Sequence, residues 1–364
     1  MHMKTMKIFN GIVAAMLLLV AACDDGGIDP ISRVDPGPDE SAPVVKINYP
    51  TEGTLIRVKE DVTSINIQLE VTDDIEISSI EVLLDGTKIG TFNQFKDYRR
   101  ALTSYEYDQL TNGEHTLTVN ATDVAGKTTV ASVNFEKVEP YKPVYDGEIF
   151  YMPFDGDFLE LVNIRNATKV GSPVFSEDAV GGTRAYKGAQ DGYLTLPTEG
   201  LLGDEFSAVL WYKLNANPDR AGILTVSPPD EAKPATPNNR TSGFRLFREN
   251  AGGKQRVKLN VGNGSADNWF DGGENADLDP AVNEWVHIAF TIGQDKCAVY
   301  INGVVVSENT YPGVSWEGCD ILSIASGAPR FTEWNHLSDQ SLIDELRLFN
   351  RVLTQEEIQA MMAD

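Results

Sequence analysis

Cys297-Ala298-Val299-Tyr300-Ile301-Asn302-Gly303-Val304-Val305-Val306 reads as two short strands closed on each other by an Asn-Gly turn. That dipeptide supplies the positive φ angles of a tight hairpin, and the flanking β-branched and aromatic residues suit a pleated surface. Upstream, Val286-His287-Ile288-Ala289-Phe290-Thr291-Ile292 predicts a further strand. Downstream, Thr354-Gln355-Glu356-Glu357 has the form of a capping box and opens a short helix with Ile358, Met361 and Met362 at helical spacing. A β-rich domain closed by one helix is expected over 147–364.

Two prolines in Val138-Glu139-Pro140-Tyr141-Lys142-Pro143 mark a linker over 139–146, since neither a helix interior nor a central strand accommodates them. All five tryptophans lie at or beyond Trp211. A separate folded region is therefore expected over 43–138. There Ile65, Ile67, Leu69 and Val71 alternate with polar residues, and Asp85-Gly86 and Asn112-Gly113 bound further short strands. Short strands at regular spacing predict a β-sandwich. Asp123 invites two readings, a calcium ligand or an acceptor for turn N–H groups. His115, in a strand beside a hairpin, reads as a packing residue.

Pro50-Thr51-Glu52-Gly53, Gly113-Glu114-His115-Thr116-Leu117 and Ala121-Thr122-Asp123-Val124-Ala125-Gly126 resemble the bacterial Ig-like modules of surface proteins. Such modules are usually spacers. In the larger region Phe154-Asp155-Gly156, Phe206-Ser207-Ala208-Val209-Leu210-Trp211, Glu284-Trp285-Val286-His287 and Ile343-Asp344-Glu345-Leu346-Arg347-Leu348-Phe349 resemble, in this order, the LamG-like jelly rolls of the concanavalin A-like superfamily. The resemblance implies an all-β protein: an N-terminal Ig-like sandwich and a C-terminal jelly roll of two packed antiparallel sheets, whose rim often binds sugars. It also implies a calcium site using Asp155 and Asp344. The family's second acid after Phe-Asp-Gly is replaced here by Glu160 or is out of register, and both aspartates also read as acceptors for buried backbone donors.

At the N-terminus, Lys4 and Lys7 precede an apolar run to Ala22 that is too short for a membrane span of roughly 20 residues. Residues 1–22 read as a signal peptide. Val20-Ala21-Ala22-Cys23 resembles the bacterial lipobox, which makes Cys23 the lipidation site. Residues 23–42 are acidic and rich in Gly and Pro, as a flexible tether is. Acidic residues directly after Cys23 resemble the surface-export signal of Bacteroidetes lipoproteins, so the expected location is the outer membrane, lipid-anchored and facing the exterior. With Cys23 lipidated, Cys297 and Cys319 are left in an oxidising compartment, and a disulfide between neighbouring strands is expected.

The formal charge of -24, from 30 Lys and Arg against 54 Asp and Glu, excludes a global basic field, and nucleic acid is not an expected partner. No catalytic residue is assigned. A retaining glycosidase needs two carboxylates about 5–5.5 Å apart, and the adjacent Asp344 and Glu345 should point to opposite faces of a strand. His115, His287 and His336 show no metal-ligand spacing.

Glycan binding fits the composition better, because sugar rings stack on exposed aromatic faces and bond to planar polar groups. Trp211 and Trp285 sit in fold motifs and are assigned to the core. Trp269, Trp316 and Trp334, with His336 beside the last, lie in polar loop sequence and are candidate platforms; each also reads as a lid on the sandwich edge. Arg245 and Arg248 are candidates for the concave face. The function expected is capture of a neutral glycan for a neighbouring importer or glycan-degrading enzyme. The alternatives are a glycoside hydrolase or lyase with an unrecognised acid pair, and an adhesin for host protein.

Overall fold

The structure, a computed structural model, describes residues 37–363. The signal peptide, Cys23 and most of the tether lie outside the described residues. Two compact units are present: one runs to Leu55 and resumes over Ser64–Lys137, and the other comprises Ile56–Thr63 and the chain from Val138 onward. Among the described residues no helix is long and apolar enough to cross a membrane.

The smaller unit is a β-sandwich. A three-stranded sheet orders Val44–Tyr49, Val62–Thr72 and Arg100–Thr111, and a five-stranded sheet is built around Gly113–Asp123. Ile65, Ile67, Leu69 and Val71 are all buried on one face, as their alternation requires. Asp85 and Gly86 turn the Ile77–Leu84 and Thr87–Phe92 hairpin with φ of 51° and 78°. Asp123 accepts the N–H groups of Ala125 and Lys127, both at 2.8 Å, so its carboxylate closes a turn. His115 is held between Asp85 and the Thr111 carbonyl at 2.7 and 2.8 Å, against the Phe135 ring.

The larger unit packs two eight-stranded antiparallel sheets. The first runs Thr168–Val170, Tyr193–Pro197, Ile321–Ile324, Arg220–Val226, Phe244–Ala251, Lys254–Gly262 and Asp267–Asp271, with Asp277–Leu278 also paired to Lys254–Gly262. The second runs Val174–Ser176, Ala185–Lys187, Leu342–Phe349, Phe206–Lys213, Trp285–Ile292, Lys296–Ile301 and Val304–Thr310, with Glu148–Met152 added along Leu342–Phe349. Between them lies a core in which the rings of Phe206, Phe244 and Phe290 meet at 4.9–5.9 Å. Each fully buried Phe contributes about 1.5–3 kcal/mol. The hairpin turns through Asn302 and Gly303 at φ of 49° and 70°. The capping box is formed, and the helix Gln355–Met361 buries Ile358 beside Val209, Ala289 and Phe349 on the outer side of the second sheet.

Three expectations are corrected. Cys297 and Cys319 are both free and buried. Cys297 belongs to the second sheet, whereas Cys319 precedes Ile321–Ile324 of the first, so they are not on neighbouring strands. Trp211 and Trp285 are only half-buried and lie outside the core: Trp211 stands edge-on to His287 at 5.2 Å, and the Trp285 indole donates to Asp178. Finally, Asp344 and Glu345 do not face opposite ways. The register of Leu342–Phe349 against Phe206–Lys213 shifts between Val209 and Trp211, and Glu345 adopts φ of 50° at this bulge. The extra residue brings both carboxylates to the Val180–Gly182 segment: Asp344 accepts the Val180 and Gly181 N–H groups, and a Cβ on Gly181 would stand 2.6 Å from Glu345 Oε1.

Candidate functional site

The outer face of the first sheet presents Phe247, Glu249, Lys258 and Trp269 from adjacent strands. A long loop between Ile321–Ile324 and Leu342–Phe349 folds back over this face. Ala325 and Gly222 donate to the Ile223 and Leu337 carbonyls at 2.7 and 3.1 Å. Gly222 permits the approach, because a Cβ there would lie 2.0 Å from the Gly327 nitrogen. His336 is the wedge beneath the loop. Fully buried, it stacks on Phe331 at 4.7 Å, meets Phe247 at 4.4 Å, and bonds through Nε2 to Glu249 at 3.0 Å. Burial pushes the His336 imidazole below its usual range, and the bond from His336 holds the Glu249 carboxyl down at about 2.

This wedge sets Trp334 beside Trp269, with ring centres 6.2 Å apart and planes 26° from parallel. Trp269 is 42% exposed and Trp334 half-buried. The Arg240 guanidinium lies 4.5 Å from the Trp334 ring centre and 5.7 Å from that of Trp269, and its Nε is 3.0 Å from Asp267. A cleft of 620 Å³ opens alongside, lined by Asp230, Lys233, Asn238, Arg240, Glu333 and Trp334 among others. Lys233 pairs with Glu333, which also accepts from Asn238. Each cation here has a carboxylate partner. The surface therefore offers flat aromatic area and fixed polar groups without an unbalanced positive charge.

The other sequence candidates lie elsewhere. Arg245 is completely buried and donates to the Asn239, Arg240 and Ser242 carbonyls and to Asn260, so it shapes the loop that carries Arg240. Arg248 is also completely buried, in an ion pair with Asp339 at 3.0 Å. Neither reaches a concave binding face as expected from the sequence. Trp316 is a lid: it packs on Phe206 and Phe244 and donates to the Gly203 carbonyl at 2.7 Å. The structure thus joins Trp269 and Trp334 into one platform, with His336 beneath it. It adds Arg240, Asp267, Asn238 and Glu333, which no local sequence pattern marks, because loop partners show no periodicity.

Asp155 and Asp344 serve the loop between residues 180 and 184. Asp344 accepts the Val180, Gly181 and Glu345 N–H groups, and Asp155 accepts those of Thr183 and Arg184. Glu160 similarly accepts from Val162 and Asn163. Among the described residues no three His, Cys, Asp or Glu side chains form a set able to hold a metal.

Residues 187–359 match the family model of the concanavalin A-like lectin/glucanases superfamily, and residues 43–119 match that of a bacterial Ig domain. No curated protein matches the chain. Among solved structures, it is similar to domain 4 of AbnA, a GH43 extracellular arabinanase from Geobacillus stearothermophilus, in complex with arabinotriose. Identity is 20%, coverage is 59% of this chain and 97% of that one, and the TM-score is 0.45. It is also similar to the botulinum neurotoxin serotype C1 binding domain, with 14% identity over 59% of this chain and 51% of that one at a TM-score of 0.41. For the binding domain of Paraclostridial Mosquitocidal Protein 1 the values are 15%, 59%, 52% and 0.42. The chain spans about half the length of these two toxin structures.

Proposed function

We propose that this chain, which carries a bacterial Ig domain ahead of a concanavalin A-like domain, is a lipid-anchored surface protein that captures a neutral glycan. The observation that carries the reading is the half-exposed Trp269 and Trp334 pair, crossed by Arg240 and bordered by the 620 Å³ cleft. Sugar C–H faces pack on such rings while a few fixed polar groups select hydroxyl positions. The paired charges of the cleft, and the net charge of -24, favour a neutral polysaccharide over an acidic one. The Ig-like unit acts as a spacer, and Cys23, with its flanking sequence, supplies the anchor to an outer membrane. Bound glycan then passes to a neighbouring importer or degrading enzyme.

Affinity electrophoresis of the chain in gels containing neutral polysaccharides tests this, with a glycan array to widen the panel. Retardation in at least one gel, lost in Trp269→Ala and Trp334→Ala, is the expected result. Retention unaffected by both substitutions would refute the platform. Product release without retardation would favour a hydrolase or lyase.

A further inference from the structure

On the outer side of the second sheet, away from the platform, lies a separate cavity of 300 Å³. Its walls include Trp211, His287, Gly181, Glu345, Arg347 and Met361. This volume is at the lower end of the range for small-molecule sites, about 300–1,000 Å³. Four features distinguish it from a packing defect.

Glu345 sits at a bulge with φ of 50°, a conformation that non-glycine residues adopt when the surroundings impose it. Its carboxylate is then fixed from two sides, by the Tyr151 hydroxyl at 2.9 Å and by Arg347 at 2.9 Å. Arg347 bonds in turn to Glu148 at 2.5 Å and lies 3.5 Å from the Tyr151 ring centre. His287, only 2% exposed, lines the cavity, and its Nδ1 is buried without a hydrogen-bond partner. An orphaned polar atom of this kind is destabilising unless something bonds to it. Trp211 stands edge-on to His287 across the strand pair, half-buried, with its indole on the cavity wall.

We propose that this cavity is a second ligand site, taking one neutral sugar ring: the end of a chain rather than its middle. The charged groups select the class. Arg347 is shared by two carboxylates and Glu345 is bound to Arg347, so neither an anion nor a cation finds an unpaired partner. Burial holds His287 down at about 4, leaving a neutral ring whose Nδ1 has no partner within the protein and is suited to a sugar hydroxyl. Trp211 supplies the flat face. The small volume excludes a run of several sugars, in contrast to the open cleft beside Trp334. The site stands on its own residues, and failure of the platform would leave it intact.

Imidazole ¹⁵N resonances of the full chain, followed while glucose, galactose, mannose, xylose and arabinose are each added to millimolar concentration, test the proposal. At least one sugar is expected to shift His287 saturably. Trp211→Ala should abolish that shift and Trp211→Phe retain it, whereas the Trp269→Ala/Trp334→Ala double variant should leave it unchanged. No saturable shift with any of the five sugars, or the same titration curve in Trp211→Ala, would overturn the proposal. Should Trp211→Ala fail to fold, Gly181→Val replaces it: the new side chain crowds the Glu345 carboxylate on the cavity wall and should give the same loss.

Discussion

Arg248→Met separates a binding role for this arginine from a structural one. Its guanidinium makes bonds to the Pro218 and Asn215 carbonyls at 2.7 Å, to Gln255 at 2.6 Å, to the Tyr212 hydroxyl at 2.9 Å, and to Asp339 at 3.0 Å. Asp339 is itself completely buried. Methionine fills much of the volume but leaves the carboxylate without its counter-ion, which costs about 3–5 kcal/mol. For a domain of this size each kcal/mol moves the unfolding midpoint by about 2–4 °C, so a fall of about 6–20 °C is expected. Calorimetry of the whole chain should show it in the transition of the larger unit. Arg248→Met/Asp339→Asn removes the stranded charge and should recover part of the loss, with a coupling of about 0.5–3 kcal/mol. Folded Arg248→Met protein should still be retarded by polysaccharide. A midpoint within about 2 °C of the parent, together with lost retardation, would refute the structural role and return Arg248 to the binding face.

His287 should make stability depend on pH. Its folded value of about 4 lies below the ordinary 6.5, so the unfolded chain takes up the proton first. The contribution is full above about pH 6.5 and is lost as pH falls towards 4, a swing of about 3 kcal/mol read as the difference between parent and His287→Gln in urea titrations. Cys297 and Cys319 should resist alkylation in the folded chain and react once it is unfolded, with the same unfolding midpoint whether or not reductant is present; peptide mass mapping of labelled protein checks this. Trp316→Ala should cost up to about 3 kcal/mol by opening the sandwich edge yet leave polysaccharide retardation unchanged, which distinguishes the lid from the platform.

Much of the fold was legible because it rests on local signals. The Asn302-Gly303 turn, the Thr354 capping box and the alternation from Ile65 to Val71 each act over a few residues and appear as read. The errors arise where tertiary pairing decides. Cys297 and Cys319 look close in sequence, but the chain changes sheet between them. Trp211 lies in a fold motif, yet strand alternation turns it away from the core while Leu210 and Tyr212 point in. Asp344 and Glu345 share a side because of a bulge that no spacing rule announces. At the site, polar context marked Trp269 and Trp334 but marked Trp316 equally, and only packing separates them. Arg240 was invisible, since its significance is the ring it covers, 94 residues away.

The two indoles of the platform come from positions 65 residues apart and are aligned only when a buried histidine props the loop against the sheet. An unfolded chain therefore has no platform. Under the proposed function, folding and ligand capture are thermodynamically linked, and glycan at one hundred times its dissociation constant should add about 2.7 kcal/mol to the stability of the larger unit. On the proposed function, the captured polysaccharide would act as a stabilising ligand as well as cargo, and the protein freed of it would be more open to proteolysis.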